Sequence, residues 1–554
     1  MKNVFSVKIL TPLAKVFPDA EPSGEAERAS FGALRGETVS FQVAFASDAN
    51  RSGFARVGVE SPLADFIRVR QVSLVPCELP AYVFSKDENY LRTAPGLYPD
   101  LLEELRDGLV KINPCHWKSL WVDVCVTDKT PSGNFPIRIE LTDTQNGGKF
   151  CDAEAAITIH DATLPELPIM RTEWFHGDCL ADYYKTPVFS EEHWSIMERF
   201  VALAVKRDIN MILTPQFTPP LDTAVGGERT TIQLVGVSAD NGAYTFDFTR
   251  LKRWVDMCLR VGVGYFEMSH LFTQWGAKTA PKIMATVGGE YKRVFGWDTP
   301  STGGEYTRFL RAYLPRLTAK LKEWGIADKT VFHISDEPSL AQYDDYRAAK
   351  NSIADLLDGF IILDALSNHE FYTRGAVTVP VVAIDHIKPF SDAAVKPLWS
   401  YFCCGQSVAV CNRFMSMPSA RARVYGALLF KYDIAGALHW GYNFYNSAHS
   451  LRRIDPYRVT DADCAFPSGD AFLVYPGADG APEESLRMMT LYHAMTDLRA
   501  MRHLAALAGR DYVLRIIEEG LPSPLTFTEY PKSNAYSDNL RERINSEIDS
   551  LTRK

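Results

Sequence analysis

The stretch that decides the fold is YTRFLRAYLPRLTAKLKEWG (residues 306–325), which leads through IADK into TVFHISDEP (residues 330–338). In the first segment apolar residues recur every three to four positions, which is typical of an amphipathic helix. The second segment is a short apolar run that ends in polar residues, which indicates a buried strand. A helix followed directly by such a strand is one unit of a repeated βα pattern.

Seven further runs resemble the second segment and alternate with helical patterns. Eight such strands predict a closed parallel (β/α)8 barrel, which we assign to residues 169–450. Two long insertions, 218–247 and 273–303, are expected to rise above the barrel rim as loops or a hairpin. The other predicted strands are RTEWFHGD (171–178), NMILTPQF (210–217), GYFEMSHLF (264–272), GFIILDALS (359–367), VPVVAID (379–385), LWSYFCC (398–404) and GALHWGYNF (436–444).

The regions before and after the barrel have different patterns. Residues 1–165 contain short alternating runs such as ETVSFQVAFAS (37–47), separated by turn residues, and this predicts an all-β sandwich. Residues 451–554 are expected to form a small C-terminal extension that packs on the barrel and ends in a solvated surface helix. The predicted fold class is therefore α/β: a TIM-type barrel preceded by a sandwich.

Composition and charge exclude several classes of function. The 554-residue chain has a net charge of -9 and no cluster of Lys and Arg, so nucleic acid is not an expected partner. No apolar run approaches the ~20 residues that span a bilayer, and the first residues lack the continuous apolar segment of a signal peptide. We therefore expect no membrane insertion and, by default, a cytoplasmic location, with secretion open if a leader has been removed.

The ten cysteines show no pairing or Cys/His spacing typical of a metal site. We interpret them as reduced thiols that mostly fill the core, including Cys403, Cys404 and Cys411. No metal or other cofactor is expected, and the oligomeric state stays open.

The sharpest chemical feature is the pair Asp336 and Glu337, because barrels of this kind carry catalytic groups at the carboxyl ends of their strands. Like charges this close resist joint ionisation, so one carboxyl can stay protonated as a general acid. The alternative is that Asp336 caps the following helix and Glu337 is solvated in its first turn.

A carboxyl pair at this place in a barrel is compatible with a glycosidase, and a conventional glycosidase needs a second carboxyl on the other side of the sugar. No Glu occurs from residue 371 to 482, so only Asp364 or Asp385 could supply a nucleophile on the later strands. The remaining option is attack by the substrate's own 2-acetamido oxygen. Glu337 would then act as acid and base, while Asp336 would hold the acetamido N–H and stabilise the positive charge.

Other polar and aromatic residues at strand ends are candidates for sugar binding. Tyr401 could donate a hydrogen bond to an acetamido oxygen, and Trp440 could lie under a pyranose ring. Structural hydrogen bonding or core packing is the alternative for each candidate. The remaining candidates are His176 (with Asp178 nearby), His270, Asp364, Asn368, Tyr442 and Asn443.

Four segments make the chain resemble glycoside hydrolase family 123, the β-N-acetylgalactosaminidases and their relatives. The resemblance implies that Asp336 is the stabiliser and Glu337 the acid/base, with retention of anomeric configuration. It also implies a terminal β-linked N-acetylgalactosamine on a glycan or glycolipid as substrate. The segments are WGIADKTVFHISDEPS (324–339), GALHWGYNFY (436–445), GDAFLVYPG (469–477) and ESLRMMTLYHAMTDLR (484–499).

One departure and two alternatives accompany the resemblance. MTDLRAM (495–501) stands where relatives are expected to carry a DYE-like motif. A conventional two-carboxylate glycosidase acting on a sugar without an acetamido group is the first alternative, and a carbohydrate-binding relative without catalysis is the second. The intact Asp336–Glu337 pair argues against the second.

Overall fold

Ten strands in two five-stranded sheets form the first part of the computed structural model, which describes residues 5–48 and 52–553. Alternate residues such as Phe41 and Val43 in one sheet and Ile137 and Ile139 in the other are buried between the sheets, as expected for a sandwich. One sheet has the order β1-β3-β8-β5-β6 and the other β2-β10-β9-β4-β7. The strands are β1 (Phe5–Leu10), β2 (Ser30–Arg35), β3 (Glu37–Ser47), β4 (Gly53–Glu60), β5 (Ile67–Cys77), β6 (Gly96–Glu104), β7 (Leu109–Ile112), β8 (Lys118–Val126), β9 (Gly133–Asp143) and β10 (Lys149–Thr163).

Eight parallel strands close into a barrel in chain order, which confirms the predicted fold class. Each strand is shorter than its apolar run suggested, because the polar residues at its end leave the ladder and turn into the loops above it. The barrel strands are β11 (Met170–Glu173), β12 (Met211–Thr214), β15 (Tyr265–Met268), β18 (Thr330–Phe332), β19 (Ile361–Leu366), β20 (Val379–Ala383), β21 (Trp399–Tyr401) and β22 (Gly436–His439).

Helices separate consecutive barrel strands and cover the outside of the barrel. The longest, α4, buries Phe309, Leu310, Leu314 and Leu317 along one face, as the spacing in the sequence predicts. The helices are α1 (Gly177–Tyr184), α2 (Glu191–Lys206), α3 (Thr249–Arg260), α4 (Gly304–Glu323), α5 (Tyr343–Asn351), α6 (Glu370–Thr373), α7 (Lys388–Asp392), α8 (Ser419–Arg423) and α9 (Tyr425–Lys431).

The two long insertions each contain a hairpin, and the hairpins join into one four-stranded sheet of order β14-β13-β16-β17. The first hairpin is β13 (Gly236–Asp240) with β14 (Ala243–Asp247), and the second is β16 (Ile283–Val287) with β17 (Glu290–Phe295). Their pairing brings together two loops that lie far apart in the chain, and both loops contribute to the rim of the cavity described below.

The C-terminal segment packs on both the barrel and the sandwich. Leu486, Met489 and Tyr492 of α10 pack against Val72 and Trp121 of the sandwich, while the helix also contacts α8 and α9. The last helix, α12, is not the solvated surface helix expected from the sequence, because it packs against β2 and β10. No described helix has the length and apolar character to cross a membrane. The elements are β23 (Tyr475–Pro476), β24 (Pro482–Glu483), α10 (Leu486–Ala508), α11 (Arg510–Glu518) and α12 (Asn534–Thr552).

Candidate active site

A cavity of about 200 Å³ opens at the carboxyl ends of the barrel strands. The carboxyl pair that follows β18 lies in its wall together with Tyr401, the last residue of β21. Three tryptophans and a phenylalanine make much of the rest of the wall aromatic. The lining residues are Trp174, Leu221, Asp222, Gln274, Trp275, Asp336, Glu337, Ala365, Tyr401, Cys403, Cys404, Leu438, Trp440, His449 and Phe466.

The backbone bends sharply between β18 and the pair. Glu337 has a φ of +42°, in the left-handed region that side chains other than Gly rarely adopt. The Glu337 N–H donates to the Ala365 carbonyl at 3.1 Å, and the Trp275 N–H donates to the Asp336 carbonyl at 2.8 Å. Neighbouring side chains on a regular strand point to opposite faces, so this bend is what lets both carboxyls reach one cavity.

Asp336 is not a helix cap. The next helical turn begins at Ser339, whose side chain and that of Gln342 form a reciprocal capping box. The capping alternative considered from the sequence is therefore wrong, and Asp336 is left without a structural role at the helix.

Asp336 is half-buried and Glu337 is exposed to the cavity, and desolvation in the cavity wall raises the pKa of both carboxyls. For Asp336 the neighbouring Glu337 raises the pKa further, while the imidazolium of His333 lowers it. For Glu337 the Tyr401 hydroxyl, which donates to Oε1 at 2.5 Å, opposes the rise. Two adjacent carboxyls with raised pKa values readily hold one proton between them, which is the state that acid catalysis near neutral pH requires.

Directly before the pair, His333 forms a fully buried ionic cluster with Glu267 and Asp364. Its Nε2 donates to Glu267 Oε1 at 2.6 Å, and its Nδ1 lies 3.4 Å from Asp364 Oδ1. Burial lowers the pKa of His333, but the two carboxylates outweigh burial and raise it to about 9. The cluster therefore carries a stable imidazolium beneath the pair.

The aromatic walls of the cavity are held by buried carboxylates. Trp174 donates its indole N–H to Glu267 at 2.8 Å, and Trp440 donates its indole N–H to Asp470 at 2.9 Å. Burial raises the pKa of Asp470 to about 6. Phe466 packs edge-on against Trp440, with ring centroids 5.5 Å apart. Such rigid apolar faces are suited to one face of a sugar ring.

The rim opposite these walls comes from three separate segments and is strained. Asp222, Trp275 and His449 have φ values of +40°, +59° and +58°. Non-glycine residues in this conformation cost free energy and tend to cluster at functional sites. Sequence reasoning missed all three, together with Trp174, Gln274 and Phe466. The available signal was aromatic: Trp174 lies within the first predicted strand (171–178), and Trp275 lies in an insertion above the barrel.

Two predicted binding residues, Tyr401 and Trp440, lie in the cavity wall, whereas six others do not. His176 is buried and bonds to the Trp440 carbonyl and to Arg229, and burial lowers its pKa to about 3. His270 is buried against the ring of His333, with centroids 4.5 Å apart. Neither imidazole reaches the cavity, because each lies on the core side of its strand end.

Asp364 and Asn368 have structural partners. Asp364 is 0 % exposed and accepts hydrogen bonds from the backbone N–H groups of residues 334 and 335 and from the Tyr346 hydroxyl. The Asn368 side chain accepts the N–H of Glu370 at 2.9 Å, which starts α6. Asp364 is therefore not available as a nucleophile or a sugar ligand.

Tyr442, Asn443 and Asp385 also lie outside the lining. The Tyr442 hydroxyl donates to the Phe200 carbonyl in the core, and Asn443 exchanges two hydrogen bonds with the backbone of His176. Asp385 accepts hydrogen bonds from Gln406 and His386. In the segment that follows β22, Trp440 lines the cavity, whereas Tyr442 and Asn443 do not.

Only four of the ten cysteines are buried, so the expectation that they mostly fill the core is wrong. Cys411 is buried, but Cys403 and Cys404 line the cavity, so they are wall residues and not core fillers. Within the described ranges one group has metal-ligand spacing, namely Glu78, Asp461 and Cys464, and it lies outside the cavity lining. The Asp461 carboxylate accepts the N–H groups of Leu79 and Cys464, which accounts for its position.

Comparison with known proteins identifies the family. The sequence profile described as glycoside hydrolase 123, catalytic domain, matches residues 174–504, more than half of the chain. The chain belongs to glycoside hydrolase family 123. The matched region contains all the lining residues of the cavity, so the family assignment and the candidate site refer to the same part of this family 123 glycoside hydrolase.

One solved structure shows the same fold. A family 123 glycoside hydrolase from Clostridium perfringens, described in work on glycolipid glycan hydrolysis, is 12% identical with a TM-score of 0.76, and 99% of each chain is covered. A β-glucuronidase from Bacteroides uniformis is 10% identical with a TM-score of 0.31, covering 91% of this chain and 50% of that one. No curated protein matched. The first similarity confirms the architecture of this family 123 glycoside hydrolase.

Proposed function

We propose that this family 123 glycoside hydrolase is a retaining exo-β-N-acetylgalactosaminidase in which the substrate's own 2-acetamido group is the nucleophile. The observation that carries the proposal is the adjacent pair Asp336 and Glu337 on one cavity wall, beside the Tyr401 hydroxyl. The later-strand carboxyls that a conventional mechanism would use, Asp364 and Asp385, have other partners and lie outside the lining. This distribution favours a mechanism with no enzymic nucleophile.

The roles follow from the contacts. In the first step the Glu337 proton passes to the glycosidic oxygen as the bond from that oxygen to C1 breaks, and the acetamido oxygen bonds to C1. Asp336 accepts the acetamido N–H and stabilises the positive charge of the oxazolinium ring. In the second step Glu337 takes a proton from water, the water oxygen bonds to C1, and the acetamido oxygen leaves. Two displacements at C1 retain its configuration.

Tyr401 supports this division of labour. Its hydroxyl donates to Glu337 and lowers the pKa of that carboxyl. If the hydroxyl turns to the acetamido oxygen of a bound substrate, Glu337 loses a donor that favours its ionised form and becomes more readily protonated. At the same time the acetamido N–H favours the ionised form of Asp336. Substrate binding would thus direct the shared proton to Glu337.

The cavity also supports exo action on an uncharged sugar. Its volume of about 200 Å³ is below the ~300–1,000 Å³ typical of sites for drug-sized ligands, which suits one sugar ring. Among the described lining residues there is no Lys or Arg to pair with a uronate. The preference for galacto configuration, and a glycan or glycolipid aglycone, are carried over from the family and from the glycolipid named for the Clostridium perfringens relative.

The decisive experiment compares aryl β-N-acetylgalactosaminide, β-N-acetylglucosaminide and β-galactoside as substrates, with Asp336→Asn and Glu337→Gln as control variants. We expect release from the N-acetylgalactosaminide, loss of release in Asp336→Asn, slower release in Glu337→Gln, and a β-configured product by NMR before mutarotation. Turnover of the galactoside at a similar rate would overturn the substrate-assisted mechanism and favour a conventional glycosidase. Release from none of the three would favour a binding protein without catalysis.

A further inference from the structure

Asp222 is a third carboxylate in the cavity wall, and the proposed mechanism does not use it. It lies in the first long insertion, with its side chain 15% exposed, and it shares the lining with Asp336 and Glu337. Its charge raises the pKa of Asp336, so it lies close enough to act on the pair. A carboxylate kept beside two others at a cost in repulsion needs a compensating role.

The position of Asp222 is set by contacts to two other segments. Its N–H donates to the Gln274 side chain at 2.7 Å, and its carbonyl accepts from the Ser450 hydroxyl at 2.7 Å. Its Oδ2 accepts the His449 N–H at 3.0 Å. These bonds hold the residue at its positive φ, so the carboxylate is oriented before any ligand arrives.

One carboxylate oxygen of Asp222 keeps bonding capacity. Oδ1 accepts no hydrogen bond from the described residues, and the His449 Nδ1 atom lies 3.7 Å from it. Sugar hydroxyls are hydrogen-bond donors, and an ionised acceptor makes a stronger bond with them than a neutral one. The open oxygen is therefore suited to a hydroxyl of a sugar whose acetamido side faces Asp336.

We propose that Asp222, oriented by His449 and Gln274, accepts a hydrogen bond from a hydroxyl of the terminal sugar and makes the site reject sugars that carry a sulfate or carboxylate there. This inference rests on the proposed function, because it requires the sugar to bind in the cavity that Asp336 and Glu337 line. An anionic substituent beside Asp222 would meet a like charge with no Lys or Arg among the described lining residues to offset it.

The test is Asp222→Asn, assayed on 4-nitrophenyl N-acetyl-β-galactosaminide and on its 3-, 4- and 6-sulfates. Loss of the charged acceptor should lower kcat/KM for the neutral substrate by about 10- to 100-fold, mainly through KM. Loss of the negative charge should leave kcat/KM for one of the sulfated substrates unchanged or raise it. We therefore expect the ratio of neutral to sulfated turnover to fall by at least about 10-fold. An equal loss on all four substrates would overturn the proposal, because a merely structural role predicts that result.

A second measurement identifies the hydroxyl and does not depend on catalysis. Binding of the 3-, 4- and 6-deoxy forms of an N-acetylgalactosamine disaccharide is compared in Glu337→Gln and in the double variant with Asp222→Asn. The deoxy form that lacks the recognised hydroxyl should bind both proteins equally, whereas the parent disaccharide should bind the double variant about 10-fold more weakly. A uniform difference across all deoxy forms would overturn the proposal. If the wild type instead hydrolyses a different sugar, the proposed function fails, while the same ratio measured on that sugar still tests Asp222.

Discussion

Two sets of carboxyl groups flank the end of β18, and they differ in how fully they are bonded. Glu267 and Asp364 are 0 % exposed, and each of their oxygens accepts at least one hydrogen bond, with the His333 imidazolium between them. Asp336 and Glu337 face the cavity, and no described residue donates a hydrogen bond to the Asp336 carboxyl. The residue types are the same, but only the second set has bonding capacity left for a substrate.

The difference follows from charge compensation. A buried carboxylate is tolerated when a cation and donors satisfy it, and such a group is held too firmly to act on a substrate. The Asp336–Glu337 pair lacks a full set of partners, so desolvation raises the pKa of each carboxyl. In this barrel the unsatisfied carboxyls identify the candidate site better than the number of acidic residues does.

The largest expected effect is on catalysis by Glu337→Gln. For a substrate with a poor leaving group, kcat/KM should fall by about 10³- to 10⁴-fold, because general acid assistance is lost. An activated aryl glycoside should lose much less in its first step. Since the raised pKa of a folded-state carboxyl means that its ionisation opposes folding, the amide should keep or increase thermal stability at pH 7.

The control for this variant is Asp336→Asn, which should also lose activity without losing thermal stability. A uniform loss across leaving groups in Glu337→Gln would contradict its role as the acid. A clear drop in melting temperature for both variants would show that Asp336 and Glu337 stabilise the fold as Glu267 and Asp364 do. The proposed difference between the two sets of carboxyls would then be wrong.

The next largest effect is a loss of stability when the buried cluster of His333, Glu267 and Asp364 is disrupted. Asp364→Asn should lower the free energy of unfolding by about 3 to 5 kcal/mol, because removal of one buried carboxylate leaves the His333 charge paired with Glu267 alone. Denaturant titration measures the free energy of unfolding. The matched control is Asp336→Asn, the same substitution at an Asp that lies outside the buried cluster. If Asp364→Asn folded with normal stability but lacked activity, Asp364 would belong to the catalytic set after all.

A smaller effect is expected at Tyr401. Tyr401→Phe should reduce kcat/KM by about 10-fold through loss of one hydrogen bond. Because the hydroxyl lowers the pKa of Glu337, its removal should raise that pKa. Glu337 must be protonated to act, so the basic limb of the kcat/KM profile should move to higher pH. A shift to lower pH would mean that Tyr401 does not act through Glu337.

The last expected effect, at most about 1.4 kcal/mol per pH unit, is a pH dependence of stability that comes from His333. Its folded-state pKa of about 9 lies above the ~6.5 of an unfolded histidine, so its contribution is fully present below pH ~6.5 and is lost as the pH rises through about 9. Across this window the free energy of unfolding should fall by up to about 1.4 kcal/mol per pH unit. In His333→Gln this slope should disappear, whatever the absolute stability of the variant. An unchanged slope would show that another group titrates.

The barrel could be predicted because its strands are buried on both sides. Such strands are short apolar runs, and amphipathic helical patterns separate them, so their number and order are visible in the sequence. The sandwich was less visible: β4 is largely exposed and β7 has only four residues, so neither shows a clear alternation. The joining of the two inserted hairpins could not be predicted, because it depends on pairing between segments about 50 residues apart.

The candidate site was predicted in part, for a related reason. Polar residues at strand ends are visible in the sequence, and Asp336, Glu337, Tyr401 and Trp440 all lie in the cavity wall. His176, His270, Asp364, Tyr442 and Asn443 occur at equivalent places in the sequence and are buried elsewhere. Residue type at a strand end therefore does not show which way a side chain faces.

The sequence by itself determined the barrel, the family and the adjacent carboxyl pair, because these depend on local patterns and on short motifs. Only the tertiary structure decided which polar groups meet in the cavity. The bend at Glu337, with its positive φ, turns both carboxyls inward, and the rim residues Asp222 and His449 meet across more than 200 positions of chain. Side-chain orientations and contacts of this kind depend on hydrogen bonds between segments that are distant in the chain, and a local sequence pattern does not predict them.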